Sequence, residues 1–532
     1  MMVDCDVIVL GAGPNGLGLS GLLAKDKFKV ILLEKNDFVG GMASNCRFWP
    51  GYTHNYGAWW LAYGVTKPVW SALQIDKYNC QVYDPPQHLT TVLGRTPDEK
   101  PFHVYNDVQL QVVKVAEEYG PEAGDAFKRF FKYFEPFSAG VKPMVDNLPL
   151  SVGQVIDRMP SLEARHLMNQ IFFGNLADLV NEYFPDKERF AAMRGFFTAN
   201  VSDFFWGGPM TTGSNLMYAY HSATHPPEEG GGLFKLVKGG MGKFPEAIAA
   251  SFKDLGGTLK LNAEVKRIIV EKGKATGVEL MNGEIISAKY IISSLDAGNT
   301  FIRLVGESNV PPFVAKQIKG INNRCHYLQI FCTLNGLPEF NGKLAYFNTE
   351  GWRWSVGYWP TMELSEHGFD AVKFGKVPEQ PLGMFSIRSL LDPTLAPPGK
   401  HTLTIFSRHT WPYGIPEEKV EEVKEICYNK LIDTFSRFAP SFREIIDNHI
   451  VMAPPDFEKR FNNTGGDWTH GMLQVSQLFN NRPILGMANY KVPFISNMYL
   501  CGSSNHPGPG INFRPALNCL NVFKKDLGIK SK

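Results

Sequence analysis

The stretch from Val3 to Glu34 constrains this chain more than any other. Val3 to Leu10 is a short apolar run suited to a buried parallel strand. Gly11-Ala-Gly13-Pro-Asn-Gly16 follows, then a run of small and apolar residues with helical spacing, then KFKVILLEK, a second strand ending at Glu34. Each part has a mechanical reason. Gly11 permits the tight turn and Gly13 lets the backbone approach a pyrophosphate, while Gly16 lets the helix pack on the strand. The helix N-terminus offers free N–H groups and a partial positive charge to phosphates. A carboxylate at the end of the second strand can accept hydrogen bonds from ribose hydroxyls. A lone G-x-G-x-x-G is often a plain turn, but here strand, helix, strand and acid stand in the required order. The stretch predicts a dinucleotide-binding unit.

After Glu34 the chain reads KNDFVGGMAS, with a second glycine pair at Gly40-Gly41. A second close backbone approach beyond the ribose acid suits a bound molecule that continues past the pyrophosphate, which favours FAD over NAD; a surface turn would also account for the pair. The expected contacts here are Gly11, Gly13, Pro14, Asn15, Gly16, Glu34, Lys35, Gly40, Gly41 and Met42.

With 532 residues the chain exceeds one compact core. KGGMGKF at 238–244 leads into PEAIAASFKDLGG, a short amphipathic helix with a glycine stop. The segment from Thr258 to Leu295 then reads as a strand meander with turns at EKGK and NGE. Such a meander caps nucleotide-binding sheets, and the Val265 backbone is a candidate adenine contact, although any strand needs valines. Residues from about 105 to 200 have a helical pattern, and those from about 325 to 410 look strand-rich. The expected fold is α/β: a Rossmann-type FAD-binding domain carrying an inserted α+β substrate domain. Its expected division is 1–85, 230–300 and 455–532 for the FAD domain, 86–229 for a helical lid insertion and 301–454 for a strand-rich substrate domain.

A net charge of +2 gives no footprint for nucleic acid. The eight cysteines are scattered, with no C-x-x-C pair and no zinc spacing, so no metal is expected. Reduced thiols fit a cytoplasmic protein. There is no charged-then-apolar leader and no apolar run long enough to span a bilayer. The basic tail KKDLGIKSK is a candidate for peripheral contact with anionic lipid, and a solvated terminus explains it as well. Aromatic residues make up 13%, enough to supply both a large core and the lining of an apolar channel.

Taken together, GAGPNGLG with Glu34 and Gly40-Gly41, the KGGMGKFPEAIAASFKDLGG segment with AEVKRIIVEKGKATGVEL, DPTLAPPGKH, and the C-terminal RPILGMANYKVPFISNMYLCGSSNHPGPG resemble the FAD-dependent phytoene desaturase and carotenoid isomerase group over nearly the whole chain. The resemblance implies that the C-terminal loop returns to the FAD domain and runs along the isoalloxazine ring, with Gly502, Gly510, Ile511 and Asn512 near it. It implies that the following helix points its N-terminus at the pyrimidine end of the flavin, where it would stabilise negative charge. Two departures stand out. Asn-Phe-Arg-Pro at 512–515 replaces further glycines, so Arg514 either adds a cation inside or is solvated. GYTHNYGAWW at 51–60 places His54, Asn55 and Tyr56 where the group has an aromatic-Asp-x-Gly pattern.

The implied activity is an FAD-dependent oxidoreductase that desaturates a lipophilic substrate, isoprenoid, fatty or alicyclic, by hydride transfer to flavin N5. The alternatives are a redox-neutral double-bond isomerase using reduced flavin, an amine oxidase on a related scaffold, and a non-catalytic FAD-bound scaffold. Candidate acid–base or stabilising groups are His54, Tyr56, Tyr490, His506 and Arg514; residues of these types are more often packed core or loop supports, and Arg514 is equally readable as solvated. Only one complete dinucleotide signal is present, so electrons would leave to oxygen, a quinone or another acceptor.

Overall fold

A computed structural model describes residues 3–201, 204–224, 234–349 and 351–529. The expected boundary between 229 and 230, and the last three residues of the basic tail, lie outside the described residues.

A five-stranded parallel sheet is assembled from three distant parts of the chain. Its order is Thr258–Lys260, Val30–Leu33, Cys5–Leu10, Ile285–Ser293 and Met498–Leu500. The first two segments in sequence, Cys5–Leu10 and Val30–Leu33, are apolar runs with almost no polar face. Only a strand covered on both sides tolerates that pattern, and a parallel sheet supplies it. Ile285–Ser293 also closes an antiparallel meander with Lys274–Leu280 and Val265–Glu271. Its turns fall at the predicted EKGK and NGE positions.

The helix Pro14–Lys25 packs on this sheet and on the last helix, Arg514–Asp526. Close approach is possible because Gly18 faces the Phe513 ring, where a β-carbon would come within 2.6 Å of Phe513 Cδ1.

The second sheet has seven strands, in the order Ile446–Met452, Leu328–Leu334, His401–Arg408, Leu382–Ser386, Ser355–Tyr358, His88–Leu93 and Phe102–Tyr105. The last two come from the 86–229 stretch that otherwise reads as helical; His88–Leu93 pairs in parallel with Ser355–Tyr358. Phe127, Phe130, Phe134, Phe137, Phe172, Phe184 and Phe197, all buried, join the helices of that stretch to the sheet in one core. Most of the chain's phenylalanine is therefore packing material. On the face that carries Tyr327, Phe331, Thr402, Thr404 and Phe406, the sheet meets the short strand His54–Asn55, with His54 hydrogen-bonded to Thr404. The aromatics Trp59, Trp206, Tyr327, Phe406 and Trp468 cluster there.

Candidate functional site

The strand Cys5–Leu10 ends at Gly11, whose φ of +88° is a left-handed conformation that suits glycine. Gly11 N–H donates to the Leu33 carbonyl at 2.8 Å, closing the turn against the second strand. A β-carbon on Gly16 would sit 2.0 Å from the Gly11 carbonyl oxygen, so the helix can start here only with glycine at that place. Gly13 caps the helix and Pro14 takes its first position, where no N–H is needed. No side chain caps this N-terminus, so its first-turn N–H groups remain available to an anion.

The second glycine turn folds back onto the first. Gly40 N–H donates to the Ala12 carbonyl at 2.8 Å, and a β-carbon on Gly41 would lie 3.4 Å from the Gly13 α-carbon. A β-carbon on Gly13 meets nothing within 4 Å, so space opens beside it. Met42 continues the path: its carbonyl accepts from Ala58 N–H, and its side chain packs on Gly57.

Glu34 is buried, with Oε2 accepting from Ala12 N–H at 2.8 Å and Oε1 from the Asn36 backbone N–H at 2.9 Å and side chain at 3.0 Å. Its carboxylate thus braces the turn at Ala12, and Oε2, with one N–H bond, retains acceptor capacity for a further donor such as a ribose hydroxyl. Burial pushes its pKa up against the opposing pull of those N–H bonds. Asn262 and Ala263 bond to the backbone of Asn36 and Glu34, which brings the start of the meander, with buried Val265, beside Glu34. Lys35 reaches away to the Lys459 carbonyl and Asn462 Oδ1, tying this corner to the C-terminal segment.

From the other end of the chain, Cys501 N–H donates to the Ser293 carbonyl at 2.8 Å, and a β-carbon on Gly502 would meet the Ser294 carbonyl at 2.2 Å. Asn15 Nδ2 donates to Ser503 Oγ at 3.2 Å, joining this loop to the first helix. The Oδ1 atoms of Asn15 and Asn505 are buried and have no hydrogen-bond partner among the described residues. Gly510 has a φ of +101°, Ile511 packs on the nucleotide-domain core, and the Asn512 side chain accepts from Arg514 N–H at 3.0 Å to begin the last helix. Two glycine turns in contact, an uncapped helix N-terminus, a buried ribose-type acid and orphaned amide oxygens where the two chain ends meet together fit FAD.

The five candidate chemical groups are placed differently from one another. Tyr490 is fully buried and donates to the His506 carbonyl at 2.7 Å while accepting from Asn518. His506 Nε2 bonds to the Met144 carbonyl at 2.8 Å; burial pulls its pKa down to about 4, so it is neutral at working pH and anchors the loop to the helical layer. Arg514 pairs with Asp146 at 2.9 Å and donates to the Thr224 carbonyl, so it points to the helical layer and is neither free in solvent nor aimed inward. The Tyr56 ring is packed between Phe38, Phe48, Phe331 and Phe461. His54 is buried, with Nδ1 on Thr404 Oγ1 at 3.2 Å, Nε2 without a partner among the described residues, and a pKa pulled down to about 3 by burial.

Sequence reasoning missed Arg482. This residue is 1% exposed, and its N–H donors reach the carbonyls of Thr469, Gly471, Gln477 and Ser503. Burial draws its pKa to about 10, still high enough to keep the charge at neutral pH. A lone arginine before a proline carries no local signal for such a role. All eight cysteines are free and buried. Among the described residues no cluster of three His, Cys, Asp or Glu side chains could hold a metal, and no helix is long and apolar enough to cross a membrane.

Comparison with known proteins agrees with this geometry. The mouse pyridine nucleotide-disulfide oxidoreductase domain-containing protein 2 is 25% identical, over 98% of this chain and 94% of its own length. The phytoene desaturase of Neurospora crassa is 24% identical, over 95% of this chain and 82% of its own. Among solved structures, an oxidoreductase from Methanosarcina mazei superposes with a TM-score of 0.62 at 15% identity, covering 98% of this chain and 100% of that one. The profile of the flavin-containing amine oxidoreductases matches residues 20–331, more than half of the sequence, so the chain belongs to that family: it is an FAD-dependent oxidoreductase, similar along most of its length to carotenoid desaturases and isomerases.

Proposed function

We propose that this oxidoreductase dehydrogenates a lipophilic substrate, withdrawing a hydride from a C–H bond and a proton from the neighbouring carbon to leave an alkene. The observation that carries this reading is the aromatic cluster of Trp59, Trp206, Tyr327, Phe406 and Trp468, which lies beside the 54–60 segment that follows the second glycine turn. FAD, when bound, supplies the hydride acceptor. The protein's part is to hold and orient. The turns at Gly11–Gly16 and Gly40–Met42 and the acid Glu34 position the nucleotide, and Arg482 locks the loop that carries Gly502 and Asn505. The apolar wall excludes water and favours a nonpolar substrate. Electrons then pass to oxygen, a quinone or another acceptor.

One observation favours a second reading. His54 and His506 each keep a ring nitrogen without a partner among the described residues, but burial pulls their pKa values to about 3 and about 4, which makes both weak proton acceptors. A redox-neutral double-bond isomerisation delivers no net proton and asks less of them. Anaerobic mixing of the FAD-loaded protein with isoprenoid, fatty and alicyclic compounds separates the two. Loss of the visible flavin band with formation of one alkene supports dehydrogenation. Turnover only after prereduction, with no net electron consumption, overturns it in favour of isomerisation.

A further inference from the structure

Beside the short strand His54–Asn55 lies a small cavity with room for a single water-sized group, lined in part by His54, Trp59, Ser386, Arg388, Thr402 and Thr404. Its walls combine polar side chains with Trp59 and Leu395, so it differs from the hydrophobic cluster next to it. Thr402 and Thr404 stand two residues apart on one strand and so share a face. His54 and Thr402 are 3% and 2% exposed, and His54 Nε2 and Thr402 Oγ1 have no hydrogen-bond partner among the described residues. Two buried polar atoms left unsatisfied around one hollow are costly unless something fills it.

The third wall is a cation. Arg388 donates Nε to Ser386 Oγ at 3.1 Å and Nη2 to the Trp59 carbonyl at 2.7 Å, and it sits 4.6 Å from the Trp60 ring centre and 5.9 Å from that of Trp354. Among the described residues no carboxylate pairs with it. Burial draws its pKa down only to about 10, so it stays charged at neutral pH. A guanidinium is the side chain best suited to a planar anionic group, and one wedged among tryptophans is held ready for it. The Thr404 hydroxyl can donate to His54 Nδ1, and in that tautomer, taken here for the bound state, Nε2 carries the proton and presents a donor to the cavity.

We propose that this notch binds the carboxylate of the substrate, one oxygen entering the cavity between Arg388, Thr402 and His54, so that the lipophilic substrate is an organic acid and not a hydrocarbon. This rests on the reading of a lipophilic substrate and names its polar end. It also assigns His54 a role as hydrogen-bond donor in place of a base.

The test is equilibrium binding to the full-length, FAD-loaded protein under anaerobic conditions, read from the shift of the visible flavin band. The probes are two matched pairs, geranic acid with geraniol and decanoate with decan-1-ol, together with acetate alone. The proposal expects the acid of at least one pair to bind about tenfold or more tightly than its alcohol, the usual scale for charged hydrogen bonds. Arg388→Met should abolish that preference with FAD content retained, and Thr402→Val should reduce it. If Arg388→Met does not retain FAD, Arg388→Lys and Thr402→Val decide. Equal binding of acid and alcohol, no binding of either acid, acetate matching the long acids, or a preference that survives these substitutions would each overturn the assignment. Acid preference without any bleaching of the flavin would leave it standing while removing dehydrogenation. Bleaching by compounds of every kind with no acid preference would do the reverse.

Discussion

Both Nε and Nη2 of Arg482 donate to the Ser503 carbonyl, at 3.2 and 2.8 Å. Ser503 stands in the loop that Asn15 touches from the first helix, so one buried cation holds the junction where the two ends of the chain meet.

Replacing Arg482 with methionine keeps much of its volume but leaves several carbonyls without donors in a dry site. The expected loss is roughly 3–5 kcal/mol of unfolding free energy, together with loss of bound flavin, because unsatisfied buried groups cost their full desolvation. Urea denaturation of wild type and variant measures it. A loss below about 1 kcal/mol would show that the carbonyls find other donors.

Gly13 and Gly16 should separate binding from folding. A side chain on Gly16 strikes the Gly11 carbonyl at 2.0 Å, and backbone cannot yield. Gly16→Ala is expected to prevent the nucleotide domain from folding. Gly13→Ala meets nothing within 4 Å and falls at a φ of −67° that alanine accepts. The flavin-free variant should still fold, with stability within about 1 kcal/mol of wild type, because the poorer N-cap and the less flexible unfolded chain oppose each other. Its FAD affinity should nonetheless drop at least about tenfold, because the methyl group occupies the pyrophosphate approach. Thermal melts of the apoprotein beside FAD titrations check both halves, and unchanged affinity in Gly13→Ala would remove the cofactor assignment.

Glu34 gives a pH signature. Its pKa is raised in the fold, and the ribose recognition proposed for it would use the ionised form. FAD affinity should therefore weaken as pH falls through that raised value, beginning above the usual carboxylate range. Glu34→Gln should flatten this dependence and weaken binding at neutral pH by about tenfold, in line with one charged hydrogen bond. A wild-type affinity constant from pH 8 to pH 5 would contradict the ribose role.

Acid lability should come from buried histidines. His54, with a pKa near 3, and His326 and His506, near 4, all sit below the unfolded value of 6.5. Above 6.5 they bind no proton in either state and stability is at its full value. As pH falls below 6.5 the unfolded chain takes up protons that the fold refuses, so stability declines by about 1.4 kcal/mol per pH unit for each such group. His88, His103, His401, His409 and His470 are drawn down in the same way, while Glu34, Glu118 and Glu366, whose pKa values burial raises, act with the opposite sign. Denaturation curves between pH 7.5 and 5, repeated with His326→Gln, should show the slope reduced by one proton.

The sequence carried the nucleotide half of this protein almost completely. Gly11, Gly13, Gly16 and Glu34 are separated by distances that one strand, one helix and one strand dictate, so local spacing and three-dimensional position coincide. The meander turns at EKGK and NGE were legible for the same reason. The chemical groups were not. His54, Tyr490, His506 and Arg514 looked alike as polar residues near glycine-rich stretches, and their fates depend on atoms contributed from elsewhere: Thr404, Asn518, Met144 and Asp146.

What the amino-acid order alone determined is a chain that grips a dinucleotide, because steric demands on glycine and the reach of one acid act over a few tens of residues. Which side chains are braces, which are buried neutral, and where the Arg388 guanidinium meets the buried His54 and Thr402 was decided only when segments hundreds of residues apart packed together. Burial and partner geometry exist only in that packed state, and they set hydrogen bonding and protonation.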